Sequence, residues 1–162
     1  MKRETTRITP EQVAGQLDFC QKVLERNQAL THTPLAFVDT YGCQQNEADS
    51  ERIRGYLSEM GYGFTQSEDE ADVIVINTCA IREHAEDRVL GNVGALIHTK
   101  RRHPGQIICL CGCMAQEGHV AEKIRQSYRH VDLLFGPHAL WKFPELFWRV
   151  VSRRGRVFEN TD

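Results

Sequence analysis

The 162-residue sequence lacks the features that mark membrane and secreted proteins. No run of about 18 or more apolar residues occurs, so we expect no membrane-spanning helix and no membrane partner. The first ten residues, MKRETTRITP, are basic but contain no apolar segment, so we expect no secretory signal and a cytoplasmic location. Thiols stay reduced in the cytosol, so the six cysteines are better explained as metal ligands or reactive groups than as disulfides.

The sequence also lacks the signatures of several ligand-binding classes. Its net charge is −2, and its basic residues cluster only at 100–103 and 149–156, which we interpret as solvated surface. No CxxC pair occurs, which argues against a zinc ribbon or a ferredoxin. No glycine-rich phosphate loop follows the first predicted strand, where Cys43-Gln44-Gln45 stands instead.

Short apolar segments alternate with amphipathic segments from residue 35 onward, a pattern typical of parallel βαβ units. Strands are predicted at 35–40, 72–77, 106–111 and 131–136, with a short edge strand allowed near 62–66. Helices are predicted at 9–30, 47–60, 81–102, 117–129 and from 137 onward, with a break around Pro144. The fold class is therefore α/β, with a doubly wound, mostly parallel, flavodoxin- or Rossmann-like sheet of about four to five strands.

The segment before the first strand is predicted to be an extra N-terminal helix packed on the main domain. Thr9 and Gln12 have capping-box spacing, with Pro10 at the first helical position. An apolar stripe is predicted to face inward and consists of Val13, Leu17, Cys20 and Leu24.

Three cysteines share one kind of position, just beyond the end of a predicted strand and just before a helix. They are Cys43, Cys79 and Cys113. The carboxyl ends of parallel strands lie along one edge of a sheet, so we expect these thiols to converge within about 10 Å. Helix N-termini favour thiolate over thiol, and thiolates are the ligands of soft metals and iron–sulfur clusters. On spacing alone, three small buried hydrophobes remain an alternative.

The other cysteines are weaker candidates. Cys20 lies on the apolar stripe of the first helix and Cys109 lies deep in a strand, so both are predicted to be core residues. Cys111 is ambiguous, because it could replace Cys113 as a ligand, although Gly112-Cys113 fits the strand-end position better.

Polar residues beside the cysteines are secondary candidates, with helix capping as the alternative role for each. Asn46 or Ser50 is expected to cap or hydrogen-bond near Cys43. Asn77 and Thr78 precede Cys79 and could donate hydrogen bonds to cluster sulfurs. Two charged residues after Cys79 are expected on the same rim, namely Arg82 and Glu83.

The residues around the three cysteines carry a family resemblance. TYGCQQNEADSERIRGYLSEMGY, ADVIVINTCAIREHAEDRV and GCMAQ closely resemble the N-terminal domain of the radical-SAM methylthiotransferases. NTCAIREHAED with YGCQQNEADS is most similar to the MiaB branch, which methylthiolates isopentenyl-adenosine beside the tRNA anticodon. The resemblance covers about 35–147, including HVDLLFGPHAL. It departs at Gln45, where Met is commoner, and at Cys111, where Gly is usual.

The resemblance implies a cofactor and a division of labour. In this family the three matching cysteines bind an auxiliary 4Fe-4S cluster, which makes Cys43, Cys79 and Cys113 the implied metal ligands. Three thiolates leave one iron open, and the family uses that position to deliver sulfur. S-adenosylmethionine and a second 4Fe-4S cluster belong to a radical-SAM domain with a CxxxCxxC loop, and this sequence contains no such loop.

We therefore expect an excised domain that is inactive by itself. Its parts would be an N-terminal helical extension at 1–33, the auxiliary cluster domain at 34–150, and the start of a linker to a radical-SAM domain at 151–162. The implied partners are tRNA, in the full-length enzyme, and the missing radical-SAM and RNA-binding domains. We expect a monomer.

Three alternatives remain open from the sequence. Related branches of the family act on threonylcarbamoyl-adenosine or on a ribosomal-protein aspartate, although their residues after the second cysteine differ from the AIRE found here. The chain could instead be a flavodoxin-like module for a nucleotide or flavin. It could also be a thiol-redox or zinc protein.

Overall fold

The structure is a computed structural model that describes residues 8–79, 83–153 and 155–160. In this part of the chain six strands form one sheet, and all five neighbouring pairs are parallel. The strands are β1 (Leu35–Thr40), β2 (Gly63–Phe64), β3 (Val73–Thr78), β4 (Ile107–Gly112), β5 (Leu133–Phe135) and β6 (Val157–Glu159). Their order across the sheet is β2-β1-β3-β4-β5-β6.

Helices connect the strands and cover both faces of the sheet. They are α1 (Pro10–Gln28), α2 (Gln44–Glu59), α3 (Glu83–Arg102), α4 (Cys113–Gln116), α5 (Gly118–Ser127) and α6 (Phe143–Arg153), with a 3₁₀ helix at Pro137–Lys142. The predicted doubly wound α/β fold is confirmed, and the strand order is the flavodoxin-like one. Among the described residues, no helix is long and apolar enough to span a membrane.

The sheet has one strand more than the four to five expected. The additional strand is β6, whose residues Val157, Phe158 and Glu159 pair with β5. The segment 151–162, expected as the start of a linker, thus contains the end of α6 and an edge strand of the sheet.

Two apolar cores lie on opposite faces of the sheet, because the central strands are buried on both sides. On one face an aromatic cluster joins the sheet to α1, α2 and α6, and it includes Tyr62, Phe135, Phe143 and Phe147. On the other face α3 and α5 bury Val89, Val93, Leu96, Val120 and Ile124.

The buried face of α1 differs from the predicted one. Val13 and Leu17 are 47% and 57% exposed, so the prediction that they face inward was wrong. The buried face consists of Gln16, Cys20, Val23 and Asn27. Its polar members cap neighbouring elements: Gln16 Oε1 accepts from the Glu145 N–H, and Asn27 Nδ2 donates to the Met60 carbonyl. Helix-terminal groups of this kind need partners, so polar side chains take the inward face.

The helix predicted at 117–129 is α5, and a short helix that was not predicted, α4, precedes it. Glu117 has an extended backbone, with φ −67° and ψ 127°, which separates α4 from α5. Because α4 begins directly after β4, its first residue is Cys113.

Candidate cysteine site at the carboxyl edge of the sheet

The three strand-end cysteines surround the switch point of the sheet. Strand order reverses between β1 and β3, and ligands of open α/β sheets bind outside the carboxyl ends of the strands there. Cys43 follows β1, Cys79 follows β3, and Cys113 follows β4, the other neighbour of β3.

Cys43 occupies the N-cap position of α2 and is exposed. Hydrogen bonds from the backbone N–H groups of Asn46 and Gln45 hold the pKa of the Cys43 thiol below its ordinary value. A helix N-terminus has this effect because its free N–H groups face the thiolate. The Cys43 sulfur also lies 3.3 Å from Asn46 Oδ1.

Cys79 and Cys113 interact with Cys43 and with each other. The half-buried Cys79 thiol hydrogen-bonds to the Cys43 thiol, which also lowers the pKa of Cys43. Cys113 is exposed as a residue, yet partial burial of its thiol raises its pKa, and the sulfurs of Cys79 and Cys43 raise it further. The structure therefore brings all three thiols together.

Two glycines allow the cysteine loops to approach so closely. Gly42 has φ +150°, and a Cβ built on it would lie 2.7 Å from Cys79 Cβ. Gly112 has φ +100°, and a Cβ there would overlap the Thr78 carbonyl oxygen. Each glycine immediately precedes a cysteine, so backbone contact between neighbouring loops sets the spacing of the thiols.

A buried polar layer lies directly beneath the thiols. Asn46 Nδ2 donates to the Thr78 carbonyl at 2.9 Å, and Asn77 Nδ2 donates to the Asn46 carbonyl at 2.8 Å. Asn77 Nδ2 also lies 3.0 Å from Ser50 Oγ, which is 2.7 Å from Thr40 Oγ1. The layer thus joins β1, α2 and β3 under the site.

Of the polar residues predicted to bond near the cysteines, only some have the expected partners. Asn46 does hydrogen-bond to Cys43, whereas Ser50 contacts Thr40 and Asn77. The Thr78 hydroxyl donates to the Cys111 carbonyl at 2.6 Å, and the Asn77 Nδ2 group donates to the Asn46 carbonyl and to Ser50 Oγ, so both donors already have partners within the chain. Arg82 and the side chain of Glu83 lie outside the described residues.

The remaining three cysteines lie in the core. Cys20 is buried, as predicted, and desolvation, with a smaller contribution from Glu59, raises its pKa to about 11. Cys109 and Cys111 are also buried, and desolvation raises the pKa of both thiols. Cys111 packs in the aromatic core, so it is not exposed at the edge beside Cys113.

A second group of metal-ligand side chains, not predicted from the sequence, consists of Glu86, Glu117 and His119. His119 Nε2 lies 2.9 Å from Glu86 Oε1 and 3.4 Å from Glu117 Oε2. His119 is exposed, and the contact is an ion pair between α3 and α5 when its imidazole is protonated. A spacing of 31 residues between Glu86 and Glu117 gives no sequence signal for such a group.

The donor set at the sheet edge suits a thiophilic metal centre. Burial raises the pKa of Cys113 most, and repulsion from the sulfurs of Cys79 and Cys43 raises it further. A cationic centre between three thiolates would remove that repulsion. Sulfur donors select iron–sulfur clusters, zinc or copper(I) over hard cations. Cys43, Cys79 and Cys113 are thus the residues whose chemistry and placement fit a cluster.

Comparison with known proteins gives one family match and a set of similar relatives. Residues 36–136 match the family described as Uncharacterized protein family UPF0004. A tRNA-2-methylthio-N(6)-dimethylallyladenosine synthase of Alkaliphilus oremlandii is 42% identical over 99% of this chain and 34% of its own length. The synthase of the same name from Clostridioides difficile is 43% identical over 93% of this chain and 32% of its own length. The chain thus spans about a third of these curated relatives.

Proposed function

Because the chain belongs to the UPF0004 family, the N-terminal MiaB-type domain of methylthiotransferases, we propose that it is the auxiliary cluster domain of a tRNA-2-methylthio-N(6)-dimethylallyladenosine synthase. The observation that supports this proposal best is the meeting of three thiols at the switch point of the sheet. The names of the similar relatives support the substrate, an isopentenyl-type adenosine in tRNA.

Cys43, Cys79 and Cys113 would hold the 4Fe-4S cluster. When bound, such a cluster with three protein thiolates keeps one iron open and supplies sulfur for 2-methylthiolation. The chain's own residues prepare the ligands: the N–H groups of Gln45 and Asn46 stabilise a thiolate at Cys43. Exposure of Cys43 and Cys113 keeps the edge accessible to a substrate from outside the sheet.

The proposal assigns the remaining functions to other parts of a longer enzyme. S-adenosylmethionine and a second 4Fe-4S cluster would belong to a radical-SAM domain, since this sequence has no CxxxCxxC loop. The extension at 1–33 and the cluster domain, which the structure carries beyond residue 150 through β6, would form the amino-terminal part. We propose a cytoplasmic monomer that acts on tRNA only in that full assembly.

The first test is reconstitution of the chain under argon with ferrous iron and sulfide. We expect a brown product with about four irons per chain and a charge-transfer band from sulfur to iron. Stoichiometric zinc binding without an iron chromophore would favour a zinc protein, and a yellow flavin spectrum would favour the flavodoxin-like alternative.

The second test concerns activity. The reconstituted chain, given S-adenosylmethionine, a reductant and isopentenyl-modified tRNA, should form no methylthio product by mass spectrometry. It should also bind tRNA weakly at physiological salt, because its net charge is −2 and phosphate contacts dominate such affinity. Product formed by this chain alone would contradict the proposed division of labour.

A further inference from the structure

Asn46 lies beneath the cysteine site and contacts two of its loops. It is buried, 6% exposed, in the first turn of α2. Its Oδ1 accepts from the Cys43 N–H at 3.2 Å, and its Nδ2 donates to the Thr78 carbonyl at 2.9 Å. The Asn46 carboxamide therefore connects the backbone of Cys43 to that of Thr78, the residue immediately before Cys79.

The orientation of this carboxamide is determined by its partners. A flipped Asn46 would turn Nδ2 toward the Cys43 N–H and Oδ1 toward the Thr78 carbonyl, which places donor against donor and acceptor against acceptor. Asn46 Nδ2 also donates to Asn77 Oδ1 at 3.4 Å, and Asn77 Nδ2 donates to the Asn46 carbonyl at 2.8 Å, so the two asparagines are bonded reciprocally. Such a fully satisfied buried network permits a single arrangement.

The same residues reach the third loop. Thr78 Oγ1 donates to the Cys111 carbonyl at 2.6 Å, and a Cβ on Gly112 would lie 2.8 Å from Asn77 Oδ1. Thr78 and Asn77, which are bonded to Asn46, therefore also contact the end of β4. Cys113 follows directly as the first residue of α4. A displacement of the Asn46 side chain would therefore shift the loops that carry all three thiols.

We propose that Asn46 is a positioning residue that fixes the relative placement of the Cys43, Cys79 and Cys113 loops for the cluster, with Asn77 as its reciprocal partner. This inference rests on the proposed cluster. Asn46 sets the start of α2, and with it the direction of the Gln45 and Asn46 N–H groups toward the Cys43 sulfur. Hydrogen bonds to cluster sulfurs change the reduction potential, so the proposal predicts an electronic effect as well as a change in affinity.

The test compares Asn46→Ala with two matched variants of the same chain. Ser50→Ala removes another buried partner of Asn77 Nδ2 without touching a cysteine loop. Asn27→Ala removes a buried carboxamide of the same kind, which donates to the Met60 carbonyl at the opposite end of α2. Each chain is reconstituted, and iron release to a chelator and the midpoint potential are measured, with circular dichroism as the check of folding.

For Asn46→Ala we expect iron release about 10–100-fold faster than in the unsubstituted chain, with a shifted potential. Ser50→Ala and Asn27→Ala should keep the original release rate and potential, although both should lower the unfolding midpoint. If Asn46→Ala fails to fold, Asn46→Ser serves instead, since its hydroxyl is too short to join Cys43 to Thr78.

The outcomes separate this inference from the proposed function. Unchanged release and potential in a folded Asn46 variant, while Cys43→Ala loses its iron, would reject the positioning role and leave the cluster proposal intact. An equal change of iron release and potential in Ser50→Ala would show that Asn46 only stabilises the fold in general, and would also reject the positioning role. An unsubstituted chain that takes up no iron would reject both.

Discussion

The six cysteines divide into two regions that differ in almost every physical respect. At the carboxyl edge, Cys43 is exposed at a helix N-terminus and its pKa is lowered by backbone N–H groups. In the core, Cys109 and Cys111 are buried within β4 and desolvation raises the pKa of both thiols. Cys113 follows Cys111 by two residues and is exposed. Position relative to the strand end, and not residue type, decides whether a thiol is available for chemistry.

The two regions also use different means to hold their shape. The core depends on volume, with the rings of Phe143 and Phe147 5.5 Å apart and that of Tyr62 edge-on to Phe147. The edge depends on backbone contact at two glycines and on directional hydrogen bonds between carboxamides. A loss of packing should therefore lower stability generally, whereas a loss at the edge should first affect the thiols.

The largest expected difference between the regions is chemical reactivity. In the reduced, metal-free chain, iodoacetamide should modify Cys43 and Cys113 first, and Cys79 next because it is half-buried. The buried thiols should react about a thousandfold more slowly, since they wait for opening that costs roughly 4 kcal/mol or more. Peptide mass spectrometry over time measures each rate. Equal rates for Cys111 and Cys113 would break the comparison.

The core can be weakened without touching the edge. Phe147→Ala should lower the free energy of unfolding by about 3–5 kcal/mol, because the side chain is fully buried. Urea denaturation measures the change, and the exposed Phe64 provides a matched Phe→Ala control that should cost far less. A loss below about 1 kcal/mol in Phe147→Ala would show that the aromatic cluster is not the tightly packed core described above.

The edge can be disturbed through its backbone. Gly112→Ala forces a Cβ onto the Thr78 carbonyl at φ +100°, so we expect a loss of about 1–3 kcal/mol. The control is Gly91→Ala, an exposed position in α3 with nothing within 4 Å of the added Cβ, which should gain about 0.5–1 kcal/mol. Denaturation of both variants measures the difference, and a Gly112→Ala chain as stable as Gly91→Ala would contradict the close approach of β3 and β4.

The smallest expected effect is a pH dependence of folding stability that arises from the buried His130. His130 donates from Nε2 to the Val93 carbonyl at 2.7 Å, while its buried Nδ1 has no hydrogen-bond partner among the described residues. Burial lowers the pKa of His130, although the bond to Val93 opposes the shift. The unfolded chain therefore takes up a proton first, and stability falls as pH drops through about 6.5 toward the lower folded pKa.

His130→Gln keeps a donor for Val93 but cannot titrate. Its free energy of unfolding should fall less steeply between pH 7.5 and 5.5 than that of the unsubstituted chain, by at most about 1.4 kcal/mol per pH unit. Denaturation at several pH values measures both slopes. Identical slopes would mean that His130 titrates normally in the folded chain.

Much of the fold was predictable from hydrophobic patterns. The strand at 35–40 has the predicted limits, and the β-branched run predicted as a strand at 72–77 is β3, displaced by one residue. The convergence expected for the three cysteines follows from parallel topology alone, because strand ends share one edge. Burial of Cys20 and Cys109 also agrees with their placement in the sequence pattern.

What the sequence did not reveal depends on contacts between distant residues. Val13 and Leu17 look like the inner stripe of α1, but Gln16 and Asn27 face inward because partners 129 and 33 residues away need capping. β6 has only three residues and intermediate burial, too short for a pattern. The reciprocal bonds between Asn46 and Asn77 likewise join residues 31 apart, so each was visible only as a separate polar residue beside a cysteine.

The most direct test of the account is iron content after reconstitution of single Cys→Ala variants. We expect loss of most iron from three of them, Cys43→Ala, Cys79→Ala and Cys113→Ala, because each removes a thiol at the carboxyl edge. Cys20→Ala and Cys109→Ala should keep about four irons per chain, as should the non-cysteine control His119→Ala. A Cys113→Ala chain with full iron would instead point to Cys111 as a ligand and contradict the division between edge and core thiols.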